Sequence, residues 1–235
     1  MELEKYTFKT ELHAHTKPAS ECSQIYPEEL VENYARLGYN SVVISNHFYS
    51  GMRYYGDKKK CIDAYLADFD LAADAGEKLG IHVILGCEIR FAENVNDYLL
   101  FGIDRDFLTE AYEYLDKDLA VFSKDFRRED RVLLQAHPFR NGMALADPAY
   151  LDGIETFNVH PGHNSRVAVA AKYAREHDFI VSAGTDYHHH GHEGLAGVLT
   201  PNVLKTSGDV ALALRSRNYL LVVGGNIIFP YVIKT

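Results

Sequence analysis

Short apolar runs alternate with helical patterns along most of this chain of 235 residues, and this alternation limits the folds open to it. Eight runs are predicted strands: residues 6–13, 40–46, 82–89, 97–103, 131–137, 153–158, 178–186 and 219–225. Helical spacing of apolar residues marks four segments: 27–39, 62–80, 108–126 and 164–178. Repeated strand, helix and strand predict an α/β domain with parallel pairing and right-handed crossovers. Eight strands favour a closed or nearly closed barrel, although the pattern also fits an open sheet.

Composition indicates one globular unit with an acidic surface. Hydrophobic residues make up 47% of the chain, and no linker or repeat interrupts it, so we expect a single domain over residues 1–235. The formal net charge is -9, which argues against general nucleic-acid binding because counterion release requires a basic surface. An anionic substrate stays compatible with this charge if bound cations hold it.

The cysteines and the N-terminal residues bear on the cellular compartment. Three cysteines, Cys22, Cys61 and Cys87, lack the spacing of a disulfide framework or of a thiolate metal site. The first ten residues contain no apolar signal core, and no apolar run approaches the length of a membrane span. We therefore expect a cytoplasmic protein that does not bind membranes.

Metal-binding residue types recur at the ends of the predicted strands. The chain has twelve histidines, and six strands end in such groups: His13 and His15, His47, Glu88, His137, Asn158 and His160, and Asp186 and His188. Each of these histidines taken alone is more typical of a core or surface residue than of a ligand. Because the carboxyl ends of parallel barrel strands meet at one mouth, their joint recurrence predicts a common metal centre. Nitrogen and oxygen ligands suit Zn, Mn or Fe.

Five motifs in this order, ELHAHT, SNH, GCEI, AHP and GTDYH, resemble those of the PHP (polymerase and histidinol phosphatase) family. The resemblance extends from His13 to about Val198. It implies a distorted (β/α)7 TIM-like barrel and two or three divalent transition-metal ions (Zn, Mn or Fe). It also implies phosphoesterase chemistry.

The same resemblance implies how the ligands are shared. His13, His15, Glu88 and Asp186 would hold one ion, and Glu88 would bridge to a second ion at His137. The second ion would take a further ligand from Asp97 or Asp104, and we favour Asp97 because a hairpin after Glu88 would return it to the site. A third ion would lie with His47, His188 and Glu21, which occupies a position that is often histidine in the family.

Catalytic roles follow from metal-assisted attack of water on phosphorus. We expect Asp186 both to ligate a metal and to orient the water, and His188 or His160 to protonate the leaving alkoxide. Arg140 and Arg166 are candidates to bind the phosphate through bidentate guanidinium contacts. The alternative for each arginine is a surface ion pair.

Three classes of function fit these residues. The first is a phosphatase acting on a small phosphate monoester, because one compact acidic domain has little surface for a polymer. The second is a phosphodiesterase or nuclease acting on nucleotides or short oligonucleotides, with Tyr54, Tyr55 and Tyr187 available to stack bases. The third is an amidohydrolase-type hydrolase, which also opens with His-x-His but resembles a pattern with a bridging lysine instead of Glu88.

Overall fold

The computed structural model describes residues 3–231, which form twelve strands and six α-helices. The strands are β1 Phe8–Ala14, β2 Ser41–Ile44, β3 His47–Phe48, β4 His82–Leu85, β5 Cys87–Arg90, β6 Asp97–Phe101, β7 Val132–Gln135, β8 Gly153–Asn158, β9 Ile180–Gly184, β10 Ala196–Thr200, β11 Leu220–Val223 and β12 Asn226–Ile228. The helices are α1 Pro27–Arg36, α2 Lys58–Leu79, α3 Arg105–Ala111, α4 Leu119–Phe126, α5 Val167–Glu176 and α6 Ser207–Ser216.

These strands form two mixed six-stranded sheets. One sheet has the order β12-β11-β10-β1-β2-β4, and the other has the order β3-β5-β6-β7-β8-β9. The α/β prediction is confirmed. Parallel pairing holds for β1–β2, β2–β4, β7–β8 and β8–β9, but β6 is antiparallel to both of its neighbours.

The two sheets meet at two places, both next to predicted site residues. At one, the amide of Gly86 donates to the carbonyl of Ile44 at 3.0 Å. This hydrogen bond connects the parallel β2–β4 pair to the parallel β3–β5 pair. At the other, Ala14 forms an isolated parallel bridge with Tyr187, beyond the end of β9. Over residues 3–231 the ladders therefore make two adjoining sheets, and a closed TIM-like barrel is not shown.

Several predicted elements are divided or displaced. The predicted strand over 82–89 breaks at Gly86, where an added Cβ would lie 2.4 Å from Val43 Cγ1. The predicted helix over 108–126 is two helices, because Asp118 begins α4 by accepting a hydrogen bond from the amide of Val121. Strands β10 and β12 and helix α6 carry no strong periodic signal and were not predicted. The predicted hairpin after Glu88 is confirmed, since β5 and β6 pair antiparallel.

The apolar core fixes the strands that carry the site. All five residues of β6 and all four of β7 are buried. Helix α2 packs against α1 and β4, and the hydroxyl of Tyr65 donates to the carbonyl of Gly86 at 2.9 Å. No helix within residues 3–231 combines the length and the apolar character that a bilayer crossing requires. The single-domain boundary of 1–235 stays a prediction.

Candidate metal centre

Eight of the nine predicted metal ligands lie together where the two sheets meet. They come from the end of β1, the start of β3, the middle of β5, the start of β6 and the segments after β7 and β9. In chain order they are His13, His15, His47, Glu88, Asp97, His137, Asp186 and His188. Seven of these residues are buried, and the His47 side chain is 20% exposed. The strand-end pattern therefore identified residues that are distant in sequence and close in space.

Glu88 lies at the centre of this cluster. Its Oε1 is 3.3 Å from His13 Nε2 and 3.1 Å from His137 Nε2. Its Oε2 is 3.5 Å from His15 Nε2 and 2.7 Å from His47 Nδ1. One carboxylate thus faces four imidazoles, which is the position that a ligand shared between two ions requires.

Asp186, in the segment after β9, contacts two of these imidazoles and also that of His188. Its Oδ1 lies 3.4 Å from Nε2 of both His13 and His15, and 3.2 Å from His188 Nδ1. The backbone of Asp186 has a φ of 54°, and that of His137 a φ of 30°. Left-handed conformations are costly for residues other than glycine and concentrate at functional sites. These strained backbone conformations orient the side chains of Asp186 and His137 toward the cluster at a cost in local stability.

Unpaired buried atoms test whether the cluster fits a metal. His13 Nε2, His15 Nε2 and Glu88 Oε2 are buried and make no hydrogen bond of good geometry, although His47 Nδ1 lies 2.7 Å from Glu88 Oε2. Such an arrangement is unfavourable in a protein interior. The residues form four overlapping groups whose donor atoms lie within 4.8 Å of one another: His15, His47 and His188; His13, His15 and Glu88; His13, His137 and Asp186; and His47, Glu88 and Asp97. Imidazole and carboxylate donors suit divalent Zn, Mn or Fe, so the residues fit the cofactor.

Electrostatics keep the carboxylates of the cluster ionised and favour the protonated form of several of its imidazoles. Burial alone would raise the pKa of Glu88, but the charges of His13 and His47 lower it well below its ordinary value. Asp186 behaves in the same way, with His13 as the main neighbour that lowers its pKa against burial. Burial lowers the pKa of His15, and two neighbouring imidazoles lower it further. Burial opposes charge on His13 and His47, but the neighbouring carboxylates raise the pKa of both imidazoles well above its ordinary value. Because metals coordinate ionised carboxylates and neutral imidazoles, an incoming ion would displace protons from these two histidines.

A second layer of carboxylates, which sequence reasoning missed, supports the ligands. Glu155 Oε1 lies 2.8 Å from His13 Nδ1, and its Oε2 accepts the backbone amide of His137 at 3.1 Å. Glu11 accepts the amides of His13 at 2.9 Å and Thr185 at 3.0 Å, and so joins β1 to the segment after β9. Burial raises the pKa of Glu11 to about 7, although the hydrogen bonds from Thr185 oppose this. Strand alternation was the available signal for Glu11, because it lies two residues before His13.

The loop after β1 does not bring Glu21 into the cluster. Glu21 is exposed and lines a small cavity of about 230 Å³, and it belongs to none of the ligand groups found in residues 3–231. The next residue, Cys22, lines the cavity beside the cluster (the main cavity of the site), which has a volume of about 640 Å³ and is also lined by His47 and His188. Burial opposes ionisation of the Cys22 thiol, but side-chain hydrogen bonds with His188 and His47 lower its pKa to about 6. No motif had marked this cysteine.

The structure distinguishes between Asp97 and Asp104, the two candidates for a further ligand of the second ion. Asp97 Oδ2 lies 3.8 Å from His137 Nε2, inside the cluster. Asp104 instead caps helix α3 by accepting the amide of Phe107 at 2.8 Å, so its alternative role as a ligand is wrong.

Of the two predicted phosphate-binding arginines, one lines the main cavity. Arg140 lies 3.6 Å from Asp97 Oδ2. Arg166 is exposed and bonds to Phe139 and Asn141, so the surface-contact alternative describes it better. A second cavity arginine, Arg90, was not predicted for this role; its Nε lies 2.7 Å from Asp97 Oδ1 and its terminal nitrogen 2.9 Å from Oδ2.

The remaining predicted side chains lie in the cavity, in the interior or at the exposed surface. His160 lines the cavity, and its Nδ1 accepts the amide of Gly162 at 3.0 Å. Burial lowers the pKa of His160 to about 4. The prediction that Tyr187 is available to stack bases is wrong, because its side chain is fully buried. Tyr54 and Tyr55 are exposed and do not line the main cavity.

Comparison with known protein families shows which family this chain belongs to. The model of the PHP domain matches residues 11–218, a span that includes every residue of the cluster. The chain belongs to the PHP domain family. No curated protein sequence matches this PHP domain significantly.

Solved structures similar to this PHP domain share its fold at low sequence identity. A two-domain protein from Bacteroides vulgatus that contains a predicted PHP-like metal-dependent phosphoesterase is 16% identical, with a TM-score of 0.68 over 95% of this chain and 67% of the other. A protein from Bifidobacterium adolescentis, for which metal-dependent phosphoesterase activity is predicted, is 18% identical, with a TM-score of 0.52 over 88% and 96% of the two chains. An amidohydrolase from Chromobacterium violaceum with bound sulfate is 15% identical, with a TM-score of 0.53 over 77% and 88%.

Proposed function

We propose that this PHP domain hydrolyses small phosphate monoesters at a centre of two or three divalent transition-metal ions. The observation that carries the proposal is the position of Glu88, a buried carboxylate no more than 3.5 Å from four imidazoles. The adjoining cavity of about 640 Å³ has the volume of a small-molecule site. Its walls include both metal-binding side chains and arginines.

Each ion would take ligands from several elements. His13, His15, Glu88 and Asp186 would hold the first, Glu88, His137 and Asp97 the second, and His47 and His188 the third. Divalent metals in such a centre activate water and neutralise the charge on phosphoryl oxygens.

The arginines supply binding of the phosphate group. Arg90 is engaged with both oxygens of Asp97. Arg140 reaches Asp97 and Asp186 only at 3.6 and 4.0 Å, so its guanidinium is free to take up a closer anion. A planar guanidinium pairs bidentately with phosphate, and we assign this contact to Arg140.

We assign protonation of the leaving alkoxide to His160. This residue lines the cavity and belongs to none of the ligand groups found in residues 3–231. Because its Nδ1 accepts the amide of Gly162, the proton of the neutral ring lies on Nε2. A bound phosphate anion would raise the low pKa of this imidazole and favour its acid form.

Hydrolysis of an aryl phosphate monoester and of the matching diester, in the presence of Mn²⁺ or Zn²⁺, tests the proposal. We expect faster turnover of the monoester and an at least 100-fold loss in Asp186→Asn, an order of magnitude typical for catalytic groups. Faster turnover of the diester would instead establish a phosphodiesterase or nuclease.

The role of His160 is tested in the same assay with two leaving groups. His160→Gln should slow an alkyl phosphate about 100-fold or more, and an aryl phosphate much less, because an aryl oxide leaves without a proton. Equal losses on both esters would contradict the assignment.

An amidohydrolase-type activity is the second candidate, favoured by the similarity to the Chromobacterium violaceum amidohydrolase. In this chain Glu88 would take the place of the bridging lysine that is typical of amidohydrolase-type enzymes. Turnover of amide or lactone substrates, with no turnover of phosphate esters, would favour this second function.

A further inference from the structure

The side-chain amide of Asn46, between β2 and β3, has one orientation. The backbone amide of Thr16 donates to Asn46 Oδ1 at 2.7 Å, and a backbone amide can only donate. The side-chain nitrogen of Asn46 therefore points the other way and donates to Thr16 Oγ1 at 2.8 Å. Thr16 Oγ1 and the amide of Ala19 donate in turn to Asp68 Oδ2 on α2, at 2.8 and 3.0 Å. Thr16, Asn46 and Asp68 are buried, so water does not compete for these hydrogen bonds.

The orientation of Asn46 decides where the hydroxyl proton of Ser20 lies. Ser20 Oγ is 2.9 Å from Asn46 Oδ1, and because an amide oxygen can only accept, the hydroxyl donates to it. The same Ser20 Oγ accepts the backbone amide of His47 at 2.9 Å. A serine hydroxyl has a single proton, so Ser20 can only accept a hydrogen bond from any further partner.

That further partner is the imidazole of His15. Its Nδ1 lies 3.2 Å from Ser20 Oγ, and because Ser20 can only accept, the proton of the neutral ring lies on Nδ1. His15 is fully buried, and its Nε2 lies 3.4 Å from Asp186 Oδ1 and 3.5 Å from Glu88 Oε2 without a hydrogen bond of good geometry. The lone pair of His15 Nε2 thus faces the two carboxylates with which it would share an ion.

We propose that Ser20 is a positioning residue of the metal centre, which keeps the proton of His15 on Nδ1 so that Nε2 binds the first ion. Asn46 acts through Ser20, and Asp68 joins this arrangement to helix α2. Without an acceptor at Nδ1, the proton would move to Nε2, where Asp186 would accept it and coordination would be blocked. The inference rests on the metal centre of the proposed function and concerns the support of one of its ligands.

Nitrogen-15 NMR of the imidazole rings tests the position of this proton without reference to activity. The protein is labelled with imidazole-nitrogen-15 histidine, stripped with a chelator and measured in mildly alkaline buffer. The His15 signals are identified by their absence in His15→Gln. We expect a protonated Nδ1 and an unprotonated Nε2 in the parent protein, and a shift of the proton to Nε2 in Ser20→Ala. A parent protein with the proton on Nε2 would overturn the inference whether or not any variant folds.

Two serine variants provide matched comparisons. Ser23 is also buried, and its Oγ donates to the backbone carbonyl of His15 at 3.0 Å. Ser23→Ala therefore removes a buried hydrogen bond from the same loop but leaves the contact at the His15 ring. Ser20→Thr keeps the hydroxyl, and the cavity of about 230 Å³ that Ser20 lines can take the added methyl group. Both variants should keep the proton on Nδ1.

Metal affinity is the second measurement. Competition with a chromophoric chelator should show that Ser20→Ala binds Zn²⁺ at least about 10-fold more weakly, the usual effect of losing a partner that orients a ligating histidine. Ser20→Thr and Ser23→Ala should bind Zn²⁺ as the parent protein does. A proton that stays on Nδ1 in Ser20→Ala, or equal weakening in Ser20→Ala and Ser23→Ala, would contradict the role of Ser20.

The outcomes separate this inference from the proposed function. If the proton moves in Ser20→Ala but the parent protein hydrolyses no phosphate ester, only the phosphatase activity is contradicted. If the parent protein hydrolyses phosphate monoesters but carries the His15 proton on Nε2, only the role of Ser20 is contradicted. A folded protein that binds no metal contradicts both.

Discussion

At the scale of single residues, Glu155 decides which nitrogen of His13 is free for a metal. Its Oε1 lies 2.8 Å from His13 Nδ1, so that nitrogen carries the proton and Nε2 keeps its lone pair. Its Oε2 accepts the backbone amide of His137 at 3.1 Å and the side-chain amide of Asn158 at 3.0 Å. With both oxygens committed, the carboxylate has one orientation.

Glu155→Gln should therefore weaken metal binding about 10- to 100-fold, the usual effect of losing such a supporting carboxylate. The glutamine oxygen would turn toward the two amide donors, and its NH₂ would face His13. The proton would then move to Nε2, where it blocks coordination. Competition with a chromophoric chelator measures the affinity.

Glu176→Gln is the matched control for this prediction. Glu176 is exposed on α5 and pairs only with Lys172 among the described residues, at 3.6 Å. Its variant should bind metal as the parent protein does. Equal affinity in Glu155→Gln and Glu176→Gln would show that Glu155 does not orient His13.

At the scale of elements, the strands that carry the site are irregular where they reach it. The β1–β2 register shifts between Glu11 and Ala14, and the β8–β9 register shifts between Glu155 and Phe157. Bulges re-aim side chains at sheet edges and beside active sites. The strand ends converge because of these shifts and because Gly184 lets β1, β8 and β9 approach closely.

Gly184→Ala should destabilise the fold by about 1–3 kcal/mol, the cost of overpacking a closely packed site. The added Cβ would lie 2.5 Å from Glu155 Oε1 and 2.5 Å from His13 Cβ. Neither neighbour can yield freely, because hydrogen bonds fix Glu155 and the β1 backbone fixes His13. Urea unfolding measures the stability, and a chelator titration measures the accompanying loss of metal affinity.

Gly208→Ala provides the comparison at a helical glycine. There the nearest atom to an added Cβ is Thr206 Oγ1 at 3.7 Å, an ordinary contact. This variant should be unchanged or more stable by up to about 1 kcal/mol, because alanine favours helix. If Gly184→Ala unfolds at the same urea concentration as Gly208→Ala, the close approach of β1 and β8 at Gly184 does not contribute to stability.

At the scale of the whole molecule, the metal centre joins the two sheets. His13 lies in β1 of one sheet and His15 directly follows that strand, whereas Glu88 and Asp97 belong to the sheet that contains β5 and β6. Any ion bound between them stabilises the folded state, because the unfolded chain does not preform the site.

Metal loading should therefore raise the melting temperature. At an ion concentration 100-fold above the dissociation constant the gain is about 2.7 kcal/mol, which corresponds to roughly 5–10 °C for a chain of this size. A chelator should reverse the shift in differential scanning calorimetry. Asp186→Asn should show a much smaller shift, and an equal shift in this variant would place the ion elsewhere.

Much of this architecture could be predicted, since it depends on local periodicity. The alternation of strands and helices predicted the α/β class, and strand ends predicted which histidines and carboxylates lie together. Strands β10 and β12 were missed because they extend a sheet by antiparallel pairing outside that alternation. The roles of the clustered residues in binding and catalysis stay predictions until the experiments above are done.

The sequence by itself determined the fold class and, of the nine candidate ligands, the eight that lie together, because both follow from the identity of residues at regular spacings along short segments. Only the tertiary structure decided that Cys22 instead of Glu21 lines the cavity with His188, that Arg90 instead of Arg166 lines it, and that Glu155 supports His13. Those choices depend on loop path and strand register. Strand register at the site depends on contacts between segments more than a hundred residues apart, such as His13 with Glu155, which no local pattern encodes.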